Sequence, residues 1–407
     1  MPKFKTMDDF DFKDKTVLVR VDINSPLDKE TKEIIDDTRI RRHAETIGEL
    51  SEREAKTVVL AHQGRPGGDD FTSLLLHSKR ISEILNKPVN FTEDIFGGEA
   101  QSLIQSLKPG DILILNNVRM WTHEQAKKTP QEFAQTEFIQ SLAPLSDIFV
   151  NDAFAAAHRG HASMVGFTEV LSSAAGRLME RELNALNKVK EAEKKPCLYV
   201  LGGAKAEDTA NITEYVLSTG KADYVLTGGV VANLCLHAVG VDIGTPNLKL
   251  LEKDNFTDLS PKIKELSEKY GEKLVIPSDV AVSLEGERAE VSVSELPTND
   301  PIFDIGNKTS EFYADLIANA RIIFLNGPMG VFEKEEFSAG TKKVFEAIAE
   351  SDAYKVAGGG HTLGAIEKLG LREKFSYIST GGGVLMRFLM GKTLPAVAAL
   401  EKAANLH

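Results

Sequence analysis

Of cysteine and tryptophan, 407 residues contain only two and one. Cys197 and Cys235 each lie beside or within an apolar run. A disulfide framework is therefore not expected, and two buried reduced thiols fit the cytoplasm. No stretch approaches the roughly 20 apolar residues that span a bilayer, so no membrane partner is expected. The N-terminus from Met1 to Asp14 mixes Lys, Asp and Phe and has no apolar signal core. Basic residues are in deficit as well: 48 Lys and Arg stand against 60 Asp and Glu, for a net charge of −12. Nothing global points to nucleic acid, and any anion site has to gather its cations locally. The pattern G-x-x-x-x-G-K-[ST] and a well-placed G-x-G-x-x-G are also missing, which removes P-loop enzymes and obvious dinucleotide binders.

What is present is a globular composition, 42% apolar and 27% charged, over a length that suits two or three domains. Short β-branched runs recur at 16–19, 57–60, 111–115 and 147–150, and again at 197–201, 223–226, 273–276, 321–325, 354–357 and 376–378. They are continuous rather than alternating, the mark of strands buried on both faces of a parallel sheet. Segments between them, such as 133–142 and 342–348, carry helix-period apolar positions. The pattern predicts an α/β chain of two doubly wound, parallel-sheet (Rossmann-like) domains joined by a long helix and hinge. The connecting helix is expected at 179–196, largely solvated, with Leu183, Leu186 and Val189 as a narrow apolar stripe and Pro196 as its stop. The domains then span 1–178 and 197–391.

Ligands of open parallel sheets bind beyond the carboxyl ends of the strands. In the first half those ends carry arginine: Arg20, Arg65, Arg119 and Arg159, with Arg39 from the following helix as a possible fifth. A lone arginine at a strand end is usually a surface ion pair. Several in equivalent places predict a cationic mouth for phosphate and carboxylate, because guanidinium forks match their oxygens bidentately. In the second half the same positions hold glycine: Gly202-Gly203, Gly228-Gly229, Gly327 to Gly330, Gly358-Gly359-Gly360 and Gly381-Gly382-Gly383. One Gly-Gly is only a turn, but five clusters predict close approach of backbone N–H groups to phosphate, and a flat slot for a base. Lys205 follows Gly202-Gly203-Ala204 where a loop becomes a helix, a place that disfavours a cation unless a phosphate is bound there. Cations on one half and phosphate-cradling glycines on the other predict a kinase whose acceptor and nucleotide occupy opposite domains and meet on closure.

Six motifs, in order and spread over nearly the whole chain, resemble the phosphoglycerate kinase family. They are Arg20-Val21-Asp22-Ile23-Asn24-Ser25-Pro26-Leu27, His62-Gln63-Gly64-Arg65-Pro66, Asn151-Asp152-Ala153-Phe154 through His158-Arg159, Gly202-Gly203-Ala204-Lys205, Asn326 through Glu333, and Ser379-Thr380-Gly381-Gly382-Gly383. The resemblance implies reversible phosphoryl transfer between 1,3-bisphosphoglycerate and MgADP, giving 3-phosphoglycerate and MgATP. It implies a 3-phosphoglycerate site of Asp22, Ile23, Asn24, Arg39, His62, Gln63, Gly64, Arg65, Arg119 and Arg159. The nucleotide site it implies comprises Gly202, Lys205, Gly228, Asn326, Glu333, Gly358, Gly359, Gly360, His361 and Thr362. Arg39 and Lys205 would flank the transferring group, with Gly360, Gly382 and Gly383 donating N–H groups to it. The tail, about 392–407, would pack back on the first domain.

Two residues depart from the commoner family pattern and resemble the archaeal branch: His361 where an aspartate helps hold Mg²⁺, and Thr209 where many members carry a lysine. Imidazole is a poor ligand for a hard cation, so no protein ligand is assigned to Mg²⁺. The metal is expected on nucleotide phosphates and water, with His361 hydrogen-bonding a phosphate. Two alternatives are a non-catalytic nucleotide sensor on the same scaffold and another acyl-phosphate kinase. The presence of Arg39 and Lys205 opposes the first, and an acceptor as small as acetate would not require so many arginines. A monomer is expected.

Overall fold

The β-branched runs become strands covered on both faces. The computed structural model describes residues 4–406. Its first strands are β1 (Thr16–Arg20), β2 (Lys56–Leu60), β3 (Asn90–Phe91), β4 (Ile112–Ile114), β5 (Ile148–Asn151) and β6 (Ser172–Ala175). There follow β7 (Cys197–Leu201), β8 (Tyr224–Thr227), β9 (Leu274–Val275), β10 (Asp279–Leu284), β11 (Glu287–Ser292), β12 (Ile302–Ile305), β13 (Ile322–Asn326), β14 (Tyr354–Gly358) and β15 (Tyr377–Ser379). The two large sheets have six strands each, in the orders β3-β4-β2-β1-β5-β6 and β15-β14-β13-β7-β8-β9. Every pair within them is parallel.

The chain divides into two compact units, Met1–Leu183 with Thr393–His407, and Asn184–Lys392. The helix Arg177–Glu191 carries the chain from one into the other. Leu183, Leu186 and Val189 on it are buried, and so are Leu178, Met179 and Ala185, a wider stripe than the sequence pattern marked. In the first unit Val17 and Val19 of β1, Val59 of β2 and Val150 of β5 pack under Ile40, Ile47 and Leu50 of the helix Thr38–Glu52. Leu18, Val58 and Phe149, on the opposite parity of the same strands, are equally buried, which is why the runs do not alternate. The helical pattern over 133–142 is realised as two short helices, Pro130–Ala134 and Glu137–Leu142, parted at Gln135.

A third sheet of three antiparallel strands, β11-β10-β12, was not foreseen. β10 and β11 form a hairpin on Glu285-Gly286, whose φ angles of 52° and 94° belong to the tight turn that matches strand twist. Its neighbour β12 accepts the Val331 N–H on the Phe303 carbonyl at 2.8 Å, so the small sheet braces the loop that follows β13.

In each large sheet, crossovers leave in opposite directions from one central pair, β1 and β5 in the first and β7 and β13 in the second. A crevice forms outside the carboxyl ends at such a switch point. The helix Pro395–Leu406 returns to the first unit, where the Ala396 N–H donates to the Ala157 carbonyl at 3.1 Å. Lys402 pairs there with Glu169 at 2.6 Å, and Leu394, Val397 and Leu400 are buried.

Trp121, the only tryptophan, lies in the first unit and reports its unfolding. Leu400→Ala should lower the stability read from Trp121 fluorescence in denaturant by about 3 kcal/mol, the usual cost of emptying a fully buried leucine site.

Candidate functional site

Beyond β1, Asp22 is buried among cations. Its carboxylate accepts from Arg39 Nη1 at 3.0 Å and from the Asn24 N–H at 3.3 Å. Burial opposes its ionisation, but His62, Arg39, His43 and Arg20 around it hold its pKa down to about 2. At neutral pH the guanidiniums carry most of that, because burial keeps the His62 imidazole uncharged. Asn24 Oδ1 accepts the Gly64 N–H at 2.7 Å and ties the loop after β1 to the loop after β2. Gly64 has φ +66°, and a Cβ there would strike the Asp70 carbonyl. Arg119 donates to the Gly64 carbonyl, and its own Nε is buried without a partner among the described residues. Burial, with Arg159 and Arg20 nearby, pushes the Arg119 guanidinium down to about 10. Burial lowers Arg159 as well, and Arg65 and Arg39 add repulsion to it. Arg65 is exposed and Arg39 partly so.

Three expectations change. Arg20 is not at the mouth: it is 1% exposed, donating from Nε to Ser163 Oγ at 2.9 Å, to the Val21 carbonyl, and from Nη2 toward His62 Nδ1 at 3.0 Å. The cations of the mouth are therefore the exposed Arg65, the partly exposed Arg39 and Arg159, and the buried Arg119. Gln63 is wholly buried, and its amide is used by the Ser25 N–H and carbonyl, the Asp70 carbonyl and His77. It shapes the loop rather than facing a ligand. The Ile23 side chain lies in the core, leaving only its backbone near the mouth.

Both ring nitrogens of His62 face guanidiniums, Nδ1 at 3.0 Å from Arg20 Nη2 and Nε2 at 3.4 Å from Arg159 Nη1, and a neutral ring can accept from only one of them. A parallel arrangement, which sequence reasoning missed, holds Asp22 from behind. The Asp22 N–H donates to His43 Nε2 at 3.2 Å, and His43 Nδ1 donates to Asp152 at 2.8 Å. The other oxygen of Asp152 accepts the Leu178 and Met179 N–H groups at 2.8 and 3.1 Å, at the start of the helix Arg177–Glu191. Glu124 was missed too. It is fully buried and takes both the hydroxyl and the N–H of Ser163, at 2.5 and 3.0 Å. Burial raises it to about 7 despite Arg20, Ser163 and Arg119. No local pattern marks these residues, since only burial gives them their roles.

In the second unit a pocket of about 510 Å³ opens beside β7 and β13, lined by Gly202, Lys205, Asn326, Glu333, Gly359, Gly360, His361 and Thr362 among others. Its glycines divide by function. The Gly203 N–H donates to the Pro328 carbonyl at 2.9 Å and the Gly229 N–H to the Met329 carbonyl at 2.6 Å. A Cβ at Gly202, Gly229 or Gly327 would meet backbone of a facing loop, so these glycines let two strand-end loops close on each other. Gly228 and Gly358 stand behind the lining, against Met329 and Leu385. Gly360, Gly382 and Gly383 have open space where a side chain would be, though the last two lie outside the pocket lining.

Asn326 donates to the Gly358 carbonyl at 2.9 Å, and Thr362 Oγ1 accepts the Gly327 N–H at 2.7 Å. Both brace the phosphate-facing end. Lys205 is exposed at the start of the helix Ala206–Ser218, with no ion pair among the described residues. Thr209 is buried in that helix and does not reach the pocket lining. His361 Nδ1 stands 3.6 Å from Glu333 Oε1. Among the described residues no three His, Cys, Asp or Glu side chains converge as a metal site.

A family model described as phosphoglycerate kinase matches residues 7–392. The phosphoglycerate kinase of Methanothermus fervidus is 48% identical over 99% of this chain and 98% of its own length. That of Methanothermobacter thermautotrophicus is 49% identical with the same coverage. The crystal structure of phosphoglycerate kinase from Pyrococcus horikoshii superposes with TM-score 0.87 at 40% identity, covering 99% of this chain and all of that one, 100%. The Coxiella burnetii structure gives TM-score 0.85 at 34% identity, covering 98% of this chain and 100% of that one.

Glu124 makes one pH dependence testable. Its folded pKa of about 7 lies above the ordinary value of 4.5, so stability is greatest below the latter and falls as pH rises through the former. Arg20, Arg119 and His161 are the ionisable groups facing it. Glu124→Gln, which cannot ionise, should gain on the parent chain by about 2 to 3 kcal/mol between about pH 5 and about pH 8. Denaturant midpoints from Trp121 fluorescence check this, and parallel pH profiles would refute it.

Proposed function

Because this chain belongs to the phosphoglycerate kinase family, we propose that it transfers a phosphoryl group reversibly between 1,3-bisphosphoglycerate and MgADP, yielding 3-phosphoglycerate and MgATP. One observation supports the assignment of residues: four arginines beyond the strands of one sheet, three of them at least partly exposed, and a glycine pocket with a lysine that makes no ion pair among the described residues beyond the strands of the other. Each is half of what a phosphoryl transfer needs. Arg65, Arg119 and Arg159 hold the phosphate of the glycerate substrate, and Asp22 with Asn24 takes its hydroxyl. His62, set between Arg20 and Arg159, completes the wall of that site. His43 and Asp152 position Asp22 from behind.

The nucleotide phosphates lie against Gly359, Gly360 and Thr362 at the start of the helix Gly360–Lys368, where free N–H groups favour anions. Glu333 takes ribose hydroxyls. Mg²⁺ comes with the nucleotide as part of the substrate. Arg39 from one unit and Lys205 from the other neutralise the charge that the loose transition state spreads over the transferred oxygens. Closure of the two units brings these groups together and excludes water, and Gly382 and Gly383 add N–H donors. No nucleophile–base pair is required, and transfer is direct. The reading includes a monomer in the cytoplasm, and the two free, buried cysteines suit a reducing compartment.

A coupled assay with 3-phosphoglycerate and MgATP should show turnover, and its absence would leave the sensor or another acceptor. In that assay Arg39→Ala and Lys205→Ala should each lower kcat by about 10³-fold, the scale of a cation serving a transferring phosphoryl group. The KM for either substrate should change less than about fivefold, the pattern of an interaction made chiefly in the transition state.

A further inference from the structure

The lining of the nucleotide pocket includes the apolar side chains Val230, Leu250, Ile302, Phe303 and Val331. Among its polar side chains one stands apart. Asn233 lies on the helix Gly229–Ala238, one turn beyond Gly229, and is 3% exposed. Its amide makes no hydrogen bond among the described residues, although the residue lines the pocket. The contrast with Asn247 next door is sharp. Asn247 is 2% exposed, donates to the Ile243 and Asp300 carbonyls at 2.7 and 3.1 Å, and accepts the Ile302 N–H at 2.7 Å. That amide is explained by the fold.

Asn233 is not explained that way. Its helix neighbours Val231, Ala232, Leu234, Cys235 and Leu236 are buried and apolar, and asparagine is a mediocre helix former. An amide that makes no hydrogen bond within the protein while it lines a pocket is free to bond what enters that pocket. The bonds it lacks are those a ligand can supply. Resting on the nucleotide reading of this pocket, we propose that Asn233 is its base-specificity residue, reading the 6-position of a purine.

The chemistry fits one side chain. An amide carries an acceptor and donors side by side, the complement of adenine, which shows an exocyclic N–H donor next to a ring-nitrogen acceptor. Asn233 Oδ1 accepts from the 6-amino group, and Nδ2 donates to the adjacent ring nitrogen. The apolar walls enclose the faces of the base and exclude water that would compete for both bonds. The backbone glycines serve the phosphates and are blind to the base.

The test compares MgATP with the magnesium complex of purine riboside 5′-triphosphate, which lacks the 6-amino group, in the parent chain and in Asn233→Leu. In the parent chain, removing that group should raise the nucleotide KM on the order of tenfold, the worth of one well-made hydrogen bond in a dry pocket. In Asn233→Leu the two nucleotides should differ less than about twofold. Asn233→Ser, which is too short to reach the base, should behave like the leucine variant and controls for misfolding. The thermal unfolding of Asn233→Leu without ligand should match or exceed that of the parent. The same ATP-to-analogue ratio in parent and variants would overturn the assignment while leaving the nucleotide site intact. If neither nucleotide saturates the parent chain, the nucleotide reading and this inference fail together.

Discussion

The Asp22 carboxylate is what allows cations to stand together at the carboxyl end of the first sheet before any substrate arrives. Two like charges about 4 Å apart repel by about 4 kcal/mol at the effective dielectric of a protein surface. Arg39, Arg119, Arg159 and the buried Arg20 all press on that one region. Asp22 answers with a single negative charge, held ionised down to about pH 2. That depression is worth about 2 kcal/mol. It offsets only part of the repulsion, and Arg119 keeps a buried Nε without a partner. The residual positive charge is what draws a multiply anionic metabolite into an acidic protein.

Holding Asp22 in place takes a second layer of buried polar groups. Arg20 orients His62, Glu124 and Ser163 occupy Arg20, and His43 with Asp152 supports the Asp22 backbone. Asp152 also accepts the first N–H groups of the helix that leaves the unit, so one carboxylate anchors both the anion mouth and the start of the connecting segment. The second unit follows a different principle. Its site is made of backbone, and side chains are excluded because facing loops approach within hydrogen-bonding distance of each other. Where side chains do enter, the proposed reading gives each one part of the ligand: Lys205 the transferring group, Thr362 the phosphate loop, Asn233 the base.

The sheets were legible because β-branched runs buried on both faces have no other common use, and the site halves because ligands sit at strand ends. The misses have physical causes. β3 has two residues and β6 is Ser-Ser-Ala-Ala, so neither presents an apolar run. The β10–β11 hairpin carries period-two alternation around Glu285-Gly286, a signal overlooked among continuous runs. Arg20 was assigned to the mouth because a strand end was treated as pointing outward, whereas the pleat sends it inward, opposite to Val19. Gln63 and Ile23 sit inside motifs whose neighbours face the ligand, and motif membership does not tell side chain from backbone. Glu124, His43 and Asn233 acquire meaning only from what surrounds them.

The central claim is that charge and positioning suffice, with one in-line displacement and no phosphorylated enzyme. The stereochemical course at phosphorus tests it most directly. With ATP made chiral at the γ-phosphorus by oxygen isotopes and 3-phosphoglycerate as acceptor, a single direct transfer inverts the configuration in the product. Retention would mean two displacements through a covalent enzyme intermediate and would contradict the account.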